Sequence, residues 1–220
     1  MTLFFLLLGP TMMLFFGLQI GSNVPLAFLL FYGWLALVPV FDFLLLKKMS
    51  LQDALHQVGF VCDRKNALVG SATGICFFLF IVTGGYLFHS VLFDRASLSQ
   101  LLVKWQFTGD VTGWLIAILV FLNPLLEELY WRGYLLHKLT GRHKARTAIF
   151  LAAFFYSLYH LLSVIPLFSA PYNVMMVVPV FAAGLFWGYL RNRQRSLFGS
   201  IISHMLADAG IMTVYLLFLS

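Results

Sequence analysis

The chain alternates long apolar stretches with short polar ones. Seven apolar stretches lie near residues 2–20, 25–46, 67–89, 112–134, 146–165, 174–191 and 197–219. A hydrocarbon core of about 30 Å takes roughly 20 apolar residues in a helix rising 1.5 Å per residue. The runs are continuous, whereas the strands of a membrane barrel are short and alternate. The pattern therefore predicts an all-α fold: a polytopic transmembrane bundle of about seven spanning helices.

Two shorter segments show one apolar face each. After Ser50, residues Leu51, Leu55, Val58 and Cys62 fall at helical spacing, with Asp53 at the third position after a Ser cap. After Ser97, taken as a second cap, Leu98, Leu101, Leu102 and Trp105 do the same. Both are expected to be amphipathic helices lying in the membrane interface or packed on the bundle. Pairs of glycines four residues apart, Gly70 with Gly74 and Gly184 with Gly188, permit close helix contact.

Composition strengthens the membrane reading. Only 10% of residues are charged and 61% are hydrophobic, against about 25% charged in soluble domains. The net charge of +6 would point to nucleic acid in a soluble protein, but here the cations sit in particular loops and no nucleic-acid partner is expected. Lys47, Lys48, Arg64 and Lys65 follow the second stretch; Lys138, Arg142, Lys144 and Arg146 follow the fourth; Arg191, Arg193 and Arg195 follow the sixth. The other loops hold only Arg95 and Lys104. The positive-inside rule then places the N-terminus in the cytoplasm and the C-terminus outside. No cleavable signal peptide is evident, and short loops favour a prokaryotic inner membrane. Cys62 and Cys76 are expected as reduced thiols.

Chemistry is sought among ionisable residues within the stretches, which are costly in lipid unless paired or functional. These are Asp42, Glu127, Glu128, Arg132, His160, His204 and Asp208. Glu128 and Arg132 are four apart with the acid first, the favourable order for a helical ion pair. Glu127 is rotated about 100° from Glu128 and has no partner in its own helix, so it is free to hold a proton or polarise a water. Tyr156 and His160 share a face, as do His204 and Asp208. Counted from the basic loops at 1.5 Å per residue, Glu127, His160 and His204 lie about 15, 20 and 10 Å deep. A carboxylate and two histidines at similar depth can activate water by general-base action or by binding a metal.

These residues resemble a known family. Glu127-Glu128-x-x-x-Arg132, Tyr156-x-x-x-His160 and His204-x-x-x-Asp208 are similar, in order, to the three motifs of the CPBP family. This is the CAAX-endopeptidase and bacteriocin-processing group of intramembrane proteases. The stretch from Gly184 to His204 also resembles the approach to its third motif. The resemblance covers roughly residues 120–210, so residues 1–110 are expected as an N-terminal set of helices and 111–220 as the catalytic core. It implies an intramembrane endopeptidase that cleaves a membrane-associated protein or peptide and contacts membrane lipid. Glu127 and His160 would activate water, His204 and position 208 would hold the oxyanion, and Glu128 and Arg132 would fix the geometry, with Tyr156 beside them. The site is expected in a water-filled cavity open toward the cytoplasmic half.

Two positions depart from the family pattern. The aromatic of the second motif is usually Phe and here is Tyr156. Position 208 is Asp, where eukaryotic-type CAAX enzymes have Asn. An ionised Asp is a poor oxyanion donor, so Asp208 would be protonated or would orient His204 instead. No His-Glu-x-x-His zinc motif is present. A cofactor-free mechanism is preferred, with a zinc site of Glu127, His160 and His204 as the alternative. A proton-coupled transporter and a non-catalytic scaffold are the rival readings.

Overall fold

A computed structural model describes residues 2–219. Among them the chain is helical throughout and has no strand. Seven helices are long and apolar enough to cross a membrane. They are α1 (Leu3–Ile20), α2 (Val24–Leu46), α4 (Arg64–Leu92), α6 (Gly109–Thr140), α7 (Ala145–Leu167), α8 (Tyr172–Gln194) and α9 (Phe198–Phe218). Two short helices, α3 (Leu51–Val58) and α5 (Arg95–Lys104), connect them. The predicted spans and the all-α bundle agree with this architecture to within a few residues.

The outer surface is apolar. Phe80 is 70% exposed, Leu29 71% and Trp114 75%, values that fit a surface solvated by acyl chains. Lipid is as apolar as a leucine side chain, so helix association rests on close packing rather than on expulsion of water. Glycine supplies that packing. A Cβ on Gly70 would stand 2.5 Å from the Gly199 carbonyl oxygen, and one on Gly74 2.7 Å from Leu206. These contacts draw α4 along α9, the most extensive helix pairing in the molecule. Gly184 and Gly188 do the same for α8 against α7, meeting Ala153 and Ile149. Both glycine pairs thus act as the four-residue spacing predicts.

The two connecting helices differ from expectation in detail. Ser50 caps α3 as predicted: its hydroxyl accepts from the Asp53 N–H at 3.1 Å and donates to Asp53 Oδ2 at 2.6 Å. But α3 stops at Val58, so Cys62 lies beyond it. Gly59 takes φ +81°, the left-handed conformation, and the Gly59 and Phe60 N–H groups bond back to His56 and Leu55, a Schellman-type ending. The buried face is Ala54 and Val58; Leu51 and Leu55 point outward. The cap of α5 is Asp94, not Ser97. Its carboxylate accepts from the Ser97 N–H at 2.8 Å, and that bond holds the Asp94 carboxyl below the usual carboxylate range. Asp and Ser are equally good caps, and the sequence offered both within three residues. Leu98 and Trp105 are buried with Leu18, Ala27 and Leu115, so α5 is packed on the bundle.

Cys62 and Cys76 are free thiols. Asp42 pairs with Lys138 at 3.0 Å and Lys47 at 3.7 Å, tying the end of α2 to the end of α6. Among the remaining histidines, His56, His137 and His143 are exposed, and His89 stacks on Phe218 at 4.3 Å.

Gly70→Ala drives α4 off α9 and lowers stability by about 1–3 kcal/mol, read as a lower melting temperature in detergent. Gly84→Ala, whose added Cβ meets nothing within 4 Å, does not lower it. Equal melting of the two variants would remove close packing at Gly70 as a source of stability.

Candidate active site

The site starts from a change of pitch in α6. Pro124 has no N–H, and its ring crowds the carbonyl four residues back. The turn before it, Ile118–Leu122, is widened into a π-helix; Asn123–Glu127 is α-helical; Glu128–Leu135 is π-helical again. Such widened turns often occur at functional sites. Glu127 closes the α segment and Glu128 opens the π segment, so the two carboxylates leave the helix at a junction.

Glu128 forms the predicted ion pair. Its Oε1 lies 2.9 Å from Arg132 Nη1, and both side chains are fully buried. The guanidinium also donates to the Gly184 carbonyl at 3.2 Å and lies over the rings of Tyr156, 4.3 Å from its centroid, and Trp187. One cation therefore touches α6, α7 and α8.

The same Glu128 oxygen lies 3.1 Å from His204 Nδ1. A carboxylate only accepts, so Nδ1 carries the hydrogen and Nε2 faces the other way. Nε2 lies 3.4 Å from the Tyr156 hydroxyl, 3.6 Å from Asp208 Oδ1 and 3.7 Å from Glu127 Oε2. The two adjacent glutamates thus meet opposite edges of one imidazole. Trp187 stacks on that ring at 4.0 Å and donates to Ser203 at 3.1 Å. Asp208 is steered from its other oxygen, which accepts from Asn123 Nδ2 at 3.1 Å.

His160 stands apart from this cluster. Its Nδ1 donates to the Tyr156 carbonyl at 2.9 Å, which leaves Nε2 with the lone pair when the ring is neutral. The ring packs on Tyr156 at 4.6 Å and Tyr159 at 4.4 Å. It makes no hydrogen bond or ion pair with Glu127.

The expected water-filled cavity is not open around Glu127. Glu127 and His204 are each 2% exposed, walled by Tyr156, Tyr159, Trp131 and Trp187. The half-buried members are His160, Asp208 and Asn123, so the cluster is least enclosed on their side. Among the described residues, no group of three or more His, Cys, Asp or Glu is arranged to hold a metal ion.

Residues 110–210 match the family model described as type II CAAX prenyl endopeptidase, Rce1-like. The match agrees with the CPBP resemblance and supports a peptidase, and the Rce1-like stretch contains Glu127, His160, His204 and Asp208. No curated protein and no solved structure matches the chain.

Asn123, Tyr159 and Trp187 touch the central residues and were not singled out from the sequence. Asn123 had a legible signal, a polar side chain one helical turn before Glu127. Tyr159 and Trp187 had none, because 17% of the chain is aromatic.

Arg132→Met leaves the Glu128 charge buried without a cation, which costs about 3–5 kcal/mol. Detergent unfolding should show that loss, and Glu128→Gln added to Arg132→Met should restore part of it. Unfolding of Arg132→Met at the wild-type denaturant concentration would show that the pair does not hold the fold.

Proposed function

We propose that the chain is an intramembrane endopeptidase in which Glu127 activates the attacking water. The observation that carries this reading is the division of labour between the two glutamates. Glu128 is tied to Arg132 and to His204 Nδ1. Glu127 has no permanent cation and sits beside His204 Nε2.

Glu127 takes a proton from water, assisted by His160, whose Nε2 offers a lone pair on the least enclosed side. The water oxygen adds to the scissile carbonyl carbon. The charge that develops on the carbonyl oxygen is held by His204 through an N–H at Nε2, an interaction that is strong in a site shielded from water. Glu127 then passes its proton to the leaving nitrogen as the C–N bond breaks. No metal takes part in these steps.

Asp208 acts on His204 in this scheme rather than on the oxyanion. Its Oδ2 is occupied by Asn123 and its Oδ1 faces Nε2, an arrangement that favours a protonated, oriented imidazole. Tyr156 in place of Phe adds a hydroxyl on the same edge of His204. The substrate is a membrane-associated protein or peptide. The matched model's description makes a prenylated C-terminal tail the first candidate. The distribution of basic loops supports a cytoplasmic N-terminus, and in that orientation the Glu127 end of α6 is turned toward a substrate arriving from the cytoplasm.

Cleavage of membrane-tethered peptides by purified protein tests the reading. Glu127→Gln should lower the rate at least about 100-fold with unchanged melting, and wild-type cleavage should survive a strong zinc chelator. Full activity in Glu127→Gln would overturn the mechanism. Loss of wild-type cleavage with chelator would transfer water activation to a metal.

A further inference from the structure

One buried polar atom that this mechanism leaves unused is the hydroxyl of Tyr159. Tyr159 is 2% exposed, and its ring is held from several sides. Phe31 of α2 lies 5.0 Å away, His160 4.4 Å, Tyr156 5.6 Å, and Trp131 stacks on it at 6.0 Å. A ring packed in this way cannot swing its hydroxyl elsewhere.

That hydroxyl neighbours Glu127: Trp131, one helical turn after Glu127 on α6, stacks on the Tyr159 ring at 6.0 Å. Both the Tyr159 oxygen and Glu127 Oε2 are fully buried, and neither makes a hydrogen bond of ordinary geometry. A buried polar atom left unpaired costs about 1–3 kcal/mol, and nearly all buried polar groups in native proteins find a partner. Here a buried donor and a buried acceptor of matching chemistry are both left without another hydrogen-bond partner. Tyr156, His160 and Arg132 are the other polar residues near this phenol. The Arg132 guanidinium is already engaged by Glu128 and Gly184.

We propose that Tyr159 is a positioning residue for Glu127, holding its carboxyl group in one orientation through both halves of the catalytic cycle. The proposal rests on the assignment of Glu127 as the base. A base must change protonation state twice per turnover. A lysine or arginine beside it would favour only the ionised form. A phenol serves both, because its hydroxyl donates to the carboxylate and accepts from the carboxylic acid. The pairing also accounts for the aromatic wall behind Glu127: Phe31, Trp131 and Tyr156 fix the phenol, and the phenol fixes the base. Orientation of this kind carries much of the rate of a proton-transfer step.

Tyr159→Phe tests the proposal because it keeps the ring and removes only the oxygen. Purified wild type, Tyr159→Phe and Tyr189→Phe are compared in kcat, KM, melting temperature and the infrared carboxyl stretch that disappears in Glu127→Gln. Tyr189 is 58% exposed and serves as a remote tyrosine. In Tyr159→Phe, kcat should fall about 10- to 100-fold, the equivalent of one hydrogen bond to a charged group. KM and melting should stay at wild-type values, and the Glu127 band should shift. Tyr189→Phe should change none of these. Wild-type kcat in Tyr159→Phe overturns the proposal whether or not the band moves. A parallel fall in melting temperature with an unmoved band also overturns it, since Tyr159 would then act only as packing. If the wild type cleaves none of the peptides, the peptidase assignment fails on its own. The infrared band then decides the Tyr159–Glu127 pairing: a shift sustains it, and an unmoved band ends it.

Discussion

The buried Glu128–Arg132 ion pair is the constraint on which the rest of the site depends. A charge within the hydrocarbon is tolerated only if protein groups replace the water it has lost. Arg132 meets that demand with a carboxylate on its own helix, a carbonyl on α8 and two aromatic faces from α7 and α8. Glu128 meets it with Arg132 and with an N–H from α9. Four helices are therefore fixed relative to one another by the requirements of two side chains. The glycine contacts set how close the helices come. The ion pair sets which faces they turn to each other.

The fixed imidazole follows from that network. Glu128 keeps a hydrogen on Nδ1 of His204, and Trp187 sets the plane of the ring. Nε2 is then directed at the one place where Glu127, Asp208 and the Tyr156 hydroxyl converge. Partners that orient a functional histidine through its second nitrogen are a general device. Here the orienting carboxylate belongs to the residue next to the proposed base. A change of helical pitch at Glu127–Glu128 lets neighbouring side chains reach opposite edges of the same ring.

Much of this was legible in the sequence, for identifiable reasons. The seven spans followed from continuous apolar length, because lipid admits few alternatives to a helix. The Glu128–Arg132 pair followed from its spacing of four. That Glu127 and His204 meet was foreshadowed by their similar depth, and that Asp208 joins them by its spacing of four from His204. Two things could not be read. Periodicity treats α6 as a regular helix, so Glu127 and Glu128 were expected on divergent faces and not on one imidazole. Depth gives no azimuth, so it placed His160 level with Glu127 without revealing that His160 bonds the Tyr156 carbonyl instead. The aromatic wall was invisible because aromatic residues occur throughout the chain, and only packing separates Tyr159 and Trp187 from those that face lipid. The α5 cap failed for a smaller reason: Asp94 and Ser97 were both competent, and helix register chose between them.

The first half of the chain lies outside the Rce1-like stretch, yet it completes the site. α2 packs against the Asn123–Glu127 turn, and its Phe31 presses on Tyr159. Trp34 donates to the Tyr130 hydroxyl at 3.0 Å, and Tyr130 donates in turn to the Leu6 carbonyl at 2.6 Å, which ties α1 and α2 to the turn that follows the two glutamates. These contacts ask little of sequence, since any well-packed aromatic face can supply most of them. The polar network asks for particular atoms at particular distances. The polar residues singled out in the sequence lie where chemistry restricts the choice, and the supporting helices contribute shape, which many sequences can meet. In this bundle the polar network is thus held by specific bonds, and the helices around it contribute mainly the shape that encloses it.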